Sequence, residues 1–593
     1  MKSFIKYTIA TITGILITLL VLLLFVALSL ISLTAFDSTP AYISDNSVLL
    51  LELDKEIAER ADENPLTELI GNEDPKIGLD EILKAIDNAK NNDNIKGIYI
   101  EAGNYFNASP AMVKEIRNAL VDFKKSGKFI VAYGDNYTQG AYYICSVADS
   151  IIINPQGTLN WKGLSAQTVF YKNLFEKIGV SMQVFKVGTY KSAVEPYILD
   201  DFSDANREQI ETFTKEIWNV LSKDVAESRN IPRNTLDSLT NTPMLYGTAK
   251  EYKRNKFVDM IAYSDKIPQI ISKMMGCQED DYMVVSVKDV ASMESLTPKD
   301  PNGNIIAVYY AVGEIVQESD DNIYTSKTNI ASRDVIKDLQ SLAEDENVKA
   351  VVLRVNSPGG DAFASEQIWH QVEYIKSKKP IIVSMGSYAA SGGYYISCAA
   401  NKIVAEPTTL TGSIGVFGLI PDLSELLDDK LGINFKTVKT HEYADMPDVS
   451  RPMNEKESAV IQNYVNNCYE LFTKRCADGR GISQDSIKSI AEGRVWTGVH
   501  AKKIGLVDEI GDLDDAIKIA QKAAKLKSYT LQTYPNKNDI FSNILERISS
   551  DSYAEKQIKE NLGEYYEIFS SMRSIQNKDK IQARTPFYIK FNL

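Results

Sequence analysis

Two short stretches of this chain hold the residue types that acyl-transfer chemistry requires. The first is Asn356-Ser-Pro-Gly-Gly360, which follows an apolar run from Val348 to Val355. Pro358 fixes its own φ while Gly359 and Gly360 lack Cβ atoms, so the backbone can turn sharply and present N–H groups outward. Such donors can make half of an oxyanion hole; the same residues also make an ordinary strand-to-helix turn. The second stretch is Ser384-Met-Gly-Ser-Tyr-Ala-Ala-Ser-Gly-Gly-Tyr-Tyr395. A strand, a turn of small residues and an apolar helix place Ser391 at a helix N-terminus, where unpaired N–H groups and the helix dipole favour developing negative charge. A serine there can equally be a plain N-cap. Gly392 and Gly393 are poor helix formers, however, and their place directly after the serine is better explained by the close approach of a second backbone or of a substrate. Ser391 is therefore the candidate nucleophile, with the Gly392 N–H as an oxyanion donor beside Gly359 and Gly360.

The elements that must position these residues can be read from hydropathy patterning. Ile305 to Tyr310, Val348 to Val355 and Ile381 to Met385 are short apolar runs expected as buried strands. Ser365 to Lys378 is expected as a helix with Ile368, His370, Val372 and Ile375 near its inner face. Strand and helix in alternation imply an α/β fold with a mostly parallel sheet. The pattern occurs twice. Asn94-Ile-Lys-Gly-Ile-Tyr-Ile100 answers Asn347-Val-Lys-Ala-Val-Val-Leu353, Gly140-Ala-Tyr-Tyr-Ile144 answers Gly392-Gly-Tyr-Tyr-Ile396, and Phe257-Val-Asp-Met-Ile261 answers Leu506-Val-Asp-Glu-Ile510. A repeat of about 250 residues is too long for a solenoid and fits a duplicated domain. The copies are expected at 46–276 and 304–533, joined by a polar linker over 277–303 that contains Pro298, Pro301 and Gly303. Residues 534–593 are expected to be a mostly helical extension, with no chemistry assigned to them.

Composition narrows the function further. The 593 residues include 79 acidic and 65 basic side chains, a net charge of -14, which is the wrong sign for a surface that attracts phosphates and argues against a nucleic-acid partner. Five cysteines stand without CxxC spacing, and an odd number cannot all pair within one chain, so buried free thiols are expected rather than a disulfide framework or a zinc site. Three histidines, His370, His441 and His500, form no HExxH pattern, and no metal or organic cofactor is expected. Tyr7 to Leu33 is nearly all apolar and free of charge, long enough to span a hydrocarbon core of ~30 Å. A cleaved signal peptide is the rival, but its apolar region should be about 7 to 15 residues. Lys2 and Lys6 precede the segment while Asp37 and Asp45 follow it. Residues 1–35 are therefore expected as a cytoplasmic tail and transmembrane anchor, with the rest of the chain outside the cytoplasm.

Asn356-Ser-Pro-Gly-Gly360 and Ala389-Ala-Ser-Gly-Gly-Tyr-Tyr395 are followed by Leu410-Thr-Gly-Ser-Ile-Gly-Val416, then by Gly493-Arg-Val-Trp-Thr-Gly498 and Gly505-Leu-Val-Asp508. Together these resemble the signal peptide peptidase SppA family, and the duplicated, anchored layout is similar to that family's long form. The likeness runs to about residue 533. It implies two tandem copies of a Clp protease/crotonase-like domain, with the motif serine as nucleophile and a lysine from the other copy as general base. The segment matching the lysine motif is Val187-Gly-Thr-Tyr-Lys-Ser-Ala-Val-Glu-Pro196, so the resemblance gives the base role to Lys191. Taken alone, any lysine reads as a solvated surface residue.

The duplication supplies an internal argument for this pairing. The first copy has Gln139 at the place of Ser391, and Gly103-Asn-Tyr-Phe-Asn107 where the second has Asn-Ser-Pro-Gly-Gly. The second copy in turn has Tyr443 or Ala444 where Lys191 would fall. Each half keeps what the other lacks, which points to one composite site between them. A lysine can act as base only when neutral. With an ordinary pKa of ~10.4, about one molecule in a few thousand carries a free amine at pH 7, so burial between the copies must lower it. Ser413, in the Thr-Gly-Ser-Ile-Gly turn, either orients Lys191 by a hydrogen bond or satisfies its own backbone.

The expectation is thus a membrane-anchored serine endopeptidase with a Ser391/Lys191 dyad. A crotonase-fold acyl-CoA enzyme, a non-catalytic membrane scaffold and a histidine-based hydrolase are the alternatives. The resemblance further implies cleaved signal peptides and other unstructured peptides as substrates, a homo-tetramer with an enclosed cavity, and a place in the bacterial cytoplasmic membrane with the catalytic domain periplasmic or otherwise extracytoplasmic.

Overall fold

A strand buried on both faces of a sheet needs an unbroken apolar run, and in Val348–Ser357 every position except Lys349 and Asn356 is buried. The computed structural model that shows this describes residues 43–61, 76–279, 281–293, 300–318, 329–535 and 581–584, with isolated helical positions between Lys6 and Val21. The anchor expected at 1–35 lies otherwise outside the described residues, and among the described residues no helix is long and apolar enough to cross a membrane.

Each copy is built on one sheet. In the second the spatial order is Val495–Thr497, Leu410–Gly412, Ile381–Ala390, Val348–Ser357, Ile305–Val312 and Thr530–Tyr534, parallel except for the first pair. In the first it is Met260–Ile261, Ser150–Leu159, Phe129–Tyr137, Ile95–Ala102, Ser47–Leu53 and Met283–Ser286, parallel throughout. The helix expected at Ser365 to Lys378 runs from Ala362 to Lys378, with the Asp361 side chain accepting from the Ala364 amide at 2.6 Å as N-cap. Its inner face holds Ile368, Trp369, Val372 and Ile375, whereas His370 is exposed. At 100° per residue His370 falls about 200° from Ile368 and so on the opposite face of the helix, which corrects its placement near the inner face.

The repeated residues do the same work in both copies. Tyr142 and Tyr394 each donate through their hydroxyl to the carbonyl just before the Val-Asp pair, on Phe257 at 3.0 Å and on Leu506 at 2.9 Å. Asp259 and Asp508 each accept from the amide of a sheet strand, Ile151 at 2.9 Å and Ile403 at 2.8 Å. Each carboxylate also pairs with the arginine that ends a helix of 26 residues, Arg229 at 2.7 Å and Arg480 at 2.9 Å. These shared contacts explain why the motifs persist in a half that has no nucleophile.

A third sheet joins the copies. Its order is Asn329–Ala331, Glu314–Val316, Gly359–Asp361, Ile581–Arg584, Val416–Asp422 and Ser181–Val187. First-copy strand Ser181–Val187 runs antiparallel to second-copy strand Val416–Asp422 along its whole length, from Val187 opposite Val416 to Ser181 opposite Asp422. One expectation needs correcting here. The segment read as a linker contains strand Met283–Ser286, paired to Ser47–Leu53, and helix Val287–Ser292, because Val285, Val287 and Val290 are buried in the first core. Of residues 534–593, expected as a mostly helical extension, the described ones are 534–535 and Ile581–Arg584, and the latter form a strand between the second-copy strands Gly359–Asp361 and Val416–Asp422.

A buried ion cluster also crosses the interface. Arg354, on the central strand of the second copy, pairs with Glu59 at 3.0 Å and Glu115 at 2.7 Å from the first, all with side chains at most 2% exposed. Burial opposes the guanidinium's charge, but Glu115 and Glu59 outweigh it and hold the arginine above its usual pKa. Removing one partner of such a group strands the remaining charges in a dry interior. Arg354→Ala is expected to lower unfolding stability by about 3–5 kcal/mol, read as a fall in urea midpoint. A loss under about 1 kcal/mol, within the range of ordinary surface substitutions, would refute the cluster's role.

Candidate active site

Strand Ile381–Ala390 runs without interruption into Ser391, which precedes the helix Gly392–Ser397. The serine takes φ 55° and ψ -113°, a left-handed conformation unusual for a residue with a Cβ. Its amide donates to the Gly412 carbonyl at 2.8 Å, and its carbonyl accepts from the Tyr395 amide at 2.8 Å, so the strain is held from both sides. Its side chain makes no N-cap bond. The Gly-Gly pair after it meets close backbone, as its composition suggested. A Cβ on Gly393 would lie 2.8 Å from the Ser357 carbonyl oxygen, and one on Gly392 would lie 3.1 Å from both the Gly360 nitrogen and the Ala583 carbonyl oxygen.

Lys191 is fully buried against this serine. Its Nζ is 2.7 Å from Ser391 Oγ, 3.0 Å from the Ser413 carbonyl oxygen and 3.2 Å from Ser413 Oγ. Burial alone pushes its pKa well below the ordinary lysine value, and no neighbouring charge opposes the shift. The three contacts fit a neutral amine, whose two N–H groups can donate to Ser413 while its lone pair accepts the Ser391 hydroxyl proton. The cross-copy sheet explains how the lysine arrives there: Val187 pairs with Val416, three residues after Ser413, and the chain then turns inward.

The oxyanion candidates are not equivalent. Gly359, at φ 106°, carries the sharp turn, and its amide donates to Ser357 Oγ at 3.1 Å. The Gly360 nitrogen lies 3.1 Å from where a Gly392 Cβ would stand, so these two glycines are backbone neighbours. The histidines stand elsewhere. His500 Nδ1 pairs with Glu216 at 2.9 Å, His441 bonds Thr440, and among the described residues no histidine is hydrogen-bonded to Ser391. At the place of Ser391 the first copy holds Gln139, whose Oε1 accepts from the Lys162 and Gly163 amides at 2.9 and 3.0 Å and so closes that position with its own loop.

Comparison with known proteins decides the family. The profile described as peptidase family S49 matches residues 122–277 and 373–527, and that of Clp protease matches residues 306–409. The chain belongs to peptidase family S49. This S49 chain is 37% identical to Protease 4 of Salmonella typhi over 79% of its own length and 76% of the relative's. It is 33% identical to Protease 4 of Haemophilus influenzae over 85% and 83%. The chloroplastic serine protease SPPA of Arabidopsis thaliana is 30% identical over 76% and 67%. The S49 chain is thus a serine endopeptidase of the long, duplicated-domain SppA type, with two tandem S49 domains of Clp protease-like α/β fold.

Sequence reasoning quoted the Gly493 motif only for its likeness, without a role. In the structure the Glu492-Gly493 turn grips the lysine segment: the Glu492 carbonyl accepts from the Tyr190 amide at 2.9 Å, and its carboxylate accepts from Thr189 Oγ1 at 2.6 Å. Gly493 sits at φ 75°, and a Cβ there would lie 2.6 Å from Lys191 Cβ and 2.7 Å from its Cα. Gly493→Ala is expected to displace the amine from Ser391 and reduce kcat by about 10²-fold, the cost of roughly an ångström of misplacement. Gly505→Ala is the control, since φ there is 82° but nothing lies within 4 Å. Equal losses of kcat in the two variants would mean that backbone strain, not lysine position, is what matters.

Proposed function

We propose that this S49 endopeptidase works by a Ser391/Lys191 acyl-enzyme mechanism assembled from both copies. The observation that carries the proposal is the 2.7 Å approach of a fully buried lysine amine, without a counter-charge, to the hydroxyl of Ser391. Neutral Lys191 takes the hydroxyl proton as Ser391 attacks the peptide carbonyl. The Gly360 and Gly392 amides, with Gly359 shaping the turn between them, stabilise the tetrahedral oxyanion. Lys191 then protonates the leaving amine, and water, activated by the same amine, releases the acyl group. Ser413 orients Lys191 through its carbonyl and hydroxyl oxygens. A peptide enters as an extended strand between Gly359–Asp361 and Val416–Asp422, the strand-addition mode of recognition.

The relatives named for SppA support signal peptides and other unstructured peptides as substrates. The apolar stretch from Tyr7 to Leu33 supports a single-pass anchor in the bacterial cytoplasmic membrane, with the catalytic domain outside the cytoplasm. Such an anchor holds the site where apolar peptide remnants partition. The same resemblance supports a homo-tetramer. In this arrangement the lysine-bearing copy lies near 46–276 and the serine-bearing copy near 304–533, with Met283–Ser292 folding onto the first.

A serine-directed fluorophosphonate should label wild-type protein and fail on Ser391→Ala and Lys191→Ala, with peptide turnover in each variant reduced at least about 10³-fold. Labelling that persists at wild-type rate without Lys191 would refute the dyad. The pH dependence has a definite sign. A lysine with a lowered folded pKa is charged below that value and neutral above it, so kcat/KM should rise with pH through it. Between the lowered value and about 10.4 the unfolded chain binds a proton that the folded chain does not, so this residue's contribution to stability improves as pH rises through that window. Lys191→Met should therefore unfold at a higher temperature than wild type near neutral pH, with the difference shrinking as pH approaches 10. A lower unfolding temperature for the variant near neutral pH would mean the lysine is not held neutral at a cost.

A further inference from the structure

Between strand Ser181–Val187 and the four-residue helix Glu195–Ile198 the chain that carries Lys191 forms only turns. Backbone of that kind has no ladder of its own to hold a side chain in place, so the hold must come from outside. Two buried side chains supply it. Glu195, 2% exposed, accepts from Ser203 Oγ at 2.6 Å and from Asn206 Nδ2 at 2.7 Å, which ties the far end of the segment to the start of helix Asp204–Arg229. Gln209, 1% exposed and in the second turn of that helix, holds the lysine from both flanks: its Nε2 donates to the Tyr190 carbonyl at 3.1 Å, to Ser192 Oγ at 3.0 Å and to Asn206 Oδ1 at 3.1 Å.

The same carboxamide reaches the other copy. Its Oε1 accepts from the Val495 amide at 3.2 Å, at the start of strand Val495–Thr497 and two residues after Gly493. Arg494 between them stacks its guanidinium on the Tyr190 and Trp496 rings at 4.5 and 4.6 Å and pairs with Glu208, but Glu208 is 56% exposed, so this outer contact is screened by water. The duplication provides a comparison. Helix Glu455–Arg480 is the second copy's counterpart, with the same length of 26 residues and the same terminal arginine. Twenty residues before that arginine the first copy has Gln209, and the second has Val460, 46% exposed. A buried carboxamide is stable only with its donors and acceptor satisfied, whereas an apolar side chain would pack there without that demand. The carboxamide stands in the half that has a lysine to hold and not in the half that lacks one.

We propose that Gln209 is a positioning residue for the Ser391/Lys191 reaction, fastening the backbone on both sides of Lys191 to the second copy so that the amine stays dry and against the serine hydroxyl. This rests on the mechanism proposed above. Among the described residues Gln209 makes no hydrogen bond to Lys191 Nζ or to Ser391, so it acts only through the chain that it holds. Once that chain is released, water reaches the amine, the ammonium is favoured again, and less free base is present at a given pH.

The test uses full-length protein and three substitutions. Gln209→Met keeps the side chain's length and removes all four of its hydrogen bonds. Gln209→Asn keeps a neutral carboxamide and draws it back by one methylene. Ser222→Ala is the control, buried on the same helix but bonded only to the Trp218 carbonyl of that helix. In kcat/KM against pH for a peptide substrate, the rising limb of each Gln209 variant should move to higher pH by at least about one unit, an at least tenfold loss on the limb. The rate of fluorophosphonate labelling should fall in step, and Ser222→Ala should leave the limb where it is. A loss by the same factor at every pH in the Gln209 variants, or an equal displacement in Ser222→Ala, overturns the proposal, and if only one Gln209 variant folds the result is read on that one. A wild type whose kcat/KM does not rise with pH, or a limb that persists in Lys191→Ala, overturns the dyad mechanism beneath it instead.

Discussion

The site depends on one electrostatic condition, a lysine buried without a counter-ion. Arg354 shows what the same burial does when carboxylates are supplied: Glu59 and Glu115 hold its charge in place. Lys191 lies equally deep among only neutral partners, the hydroxyls of Ser391 and Ser413 and a carbonyl, and burial drives it toward the free amine. A single acidic side chain beside it would favour the ammonium and oppose the base role proposed for it. That Lys191 has no acidic partner among the described residues is therefore as much a part of the site as the serine is. It is available because Thr189 rather than Lys191 engages the nearby Glu492 carboxylate.

Keeping water from that amine requires surface on every side, which explains why the proposed dyad is divided between two copies. The first copy delivers Lys191 at the end of a strand fully paired to second-copy strand Val416–Asp422, and the second closes over it with the Glu492-Gly493 turn and Gly415. Neither copy alone could surround the amine. Division of labour then frees each half from keeping the other's part. Gln139 fills the vacant nucleophile position of the first copy with hydrogen bonds to its own loop, so loss of the serine there left no polar cavity behind.

What could be read from the sequence was whatever depends on local pattern. The apolar runs that became central strands, the glycines after Ser391 that meet neighbouring backbone, and the repeated Val-Asp pairs are each set by contacts within one sheet or one turn. The pairing of Val187 with Val416 joins residues far apart in sequence, and no periodicity in either segment announces a partner. The strand at Ile581–Arg584 was hidden for the same reason, because four residues are too few to show an alternation and their hydrogen bonds are made to distant edges. The linker reading over 277–303 rests on Pro298, Pro301 and Gly303 near its far end, whereas Val285, Val287 and Val290 near its start are buried in the first core. His370 and Trp369 differ by one position, and 100° per residue turns His370 away from the face that Ile368, Val372 and Ile375 define.

Several local features of the site are unfavourable by themselves. Ser391 and Ser413 both hold positive φ, at 55° and 50°, each at a cost on the order of 1–3 kcal/mol. Gly392 and Gly393 open a helix of six residues that their own propensity disfavours. The buried amine is a further expense, since the unfolded chain would carry it as a solvated ion. None of these can persist unless the surroundings determine the geometry more strongly than the local chain resists it. The surroundings here are two extensive cores, each around a parallel sheet, with the strained serine tied by its amide to Gly412 and by its carbonyl to the following helix. A half that lacks the nucleophile and the oxyanion turn still has a reason to keep its whole hydrophobic core. Its packing is what holds a buried lysine, its pKa lowered by burial, against a strained serine.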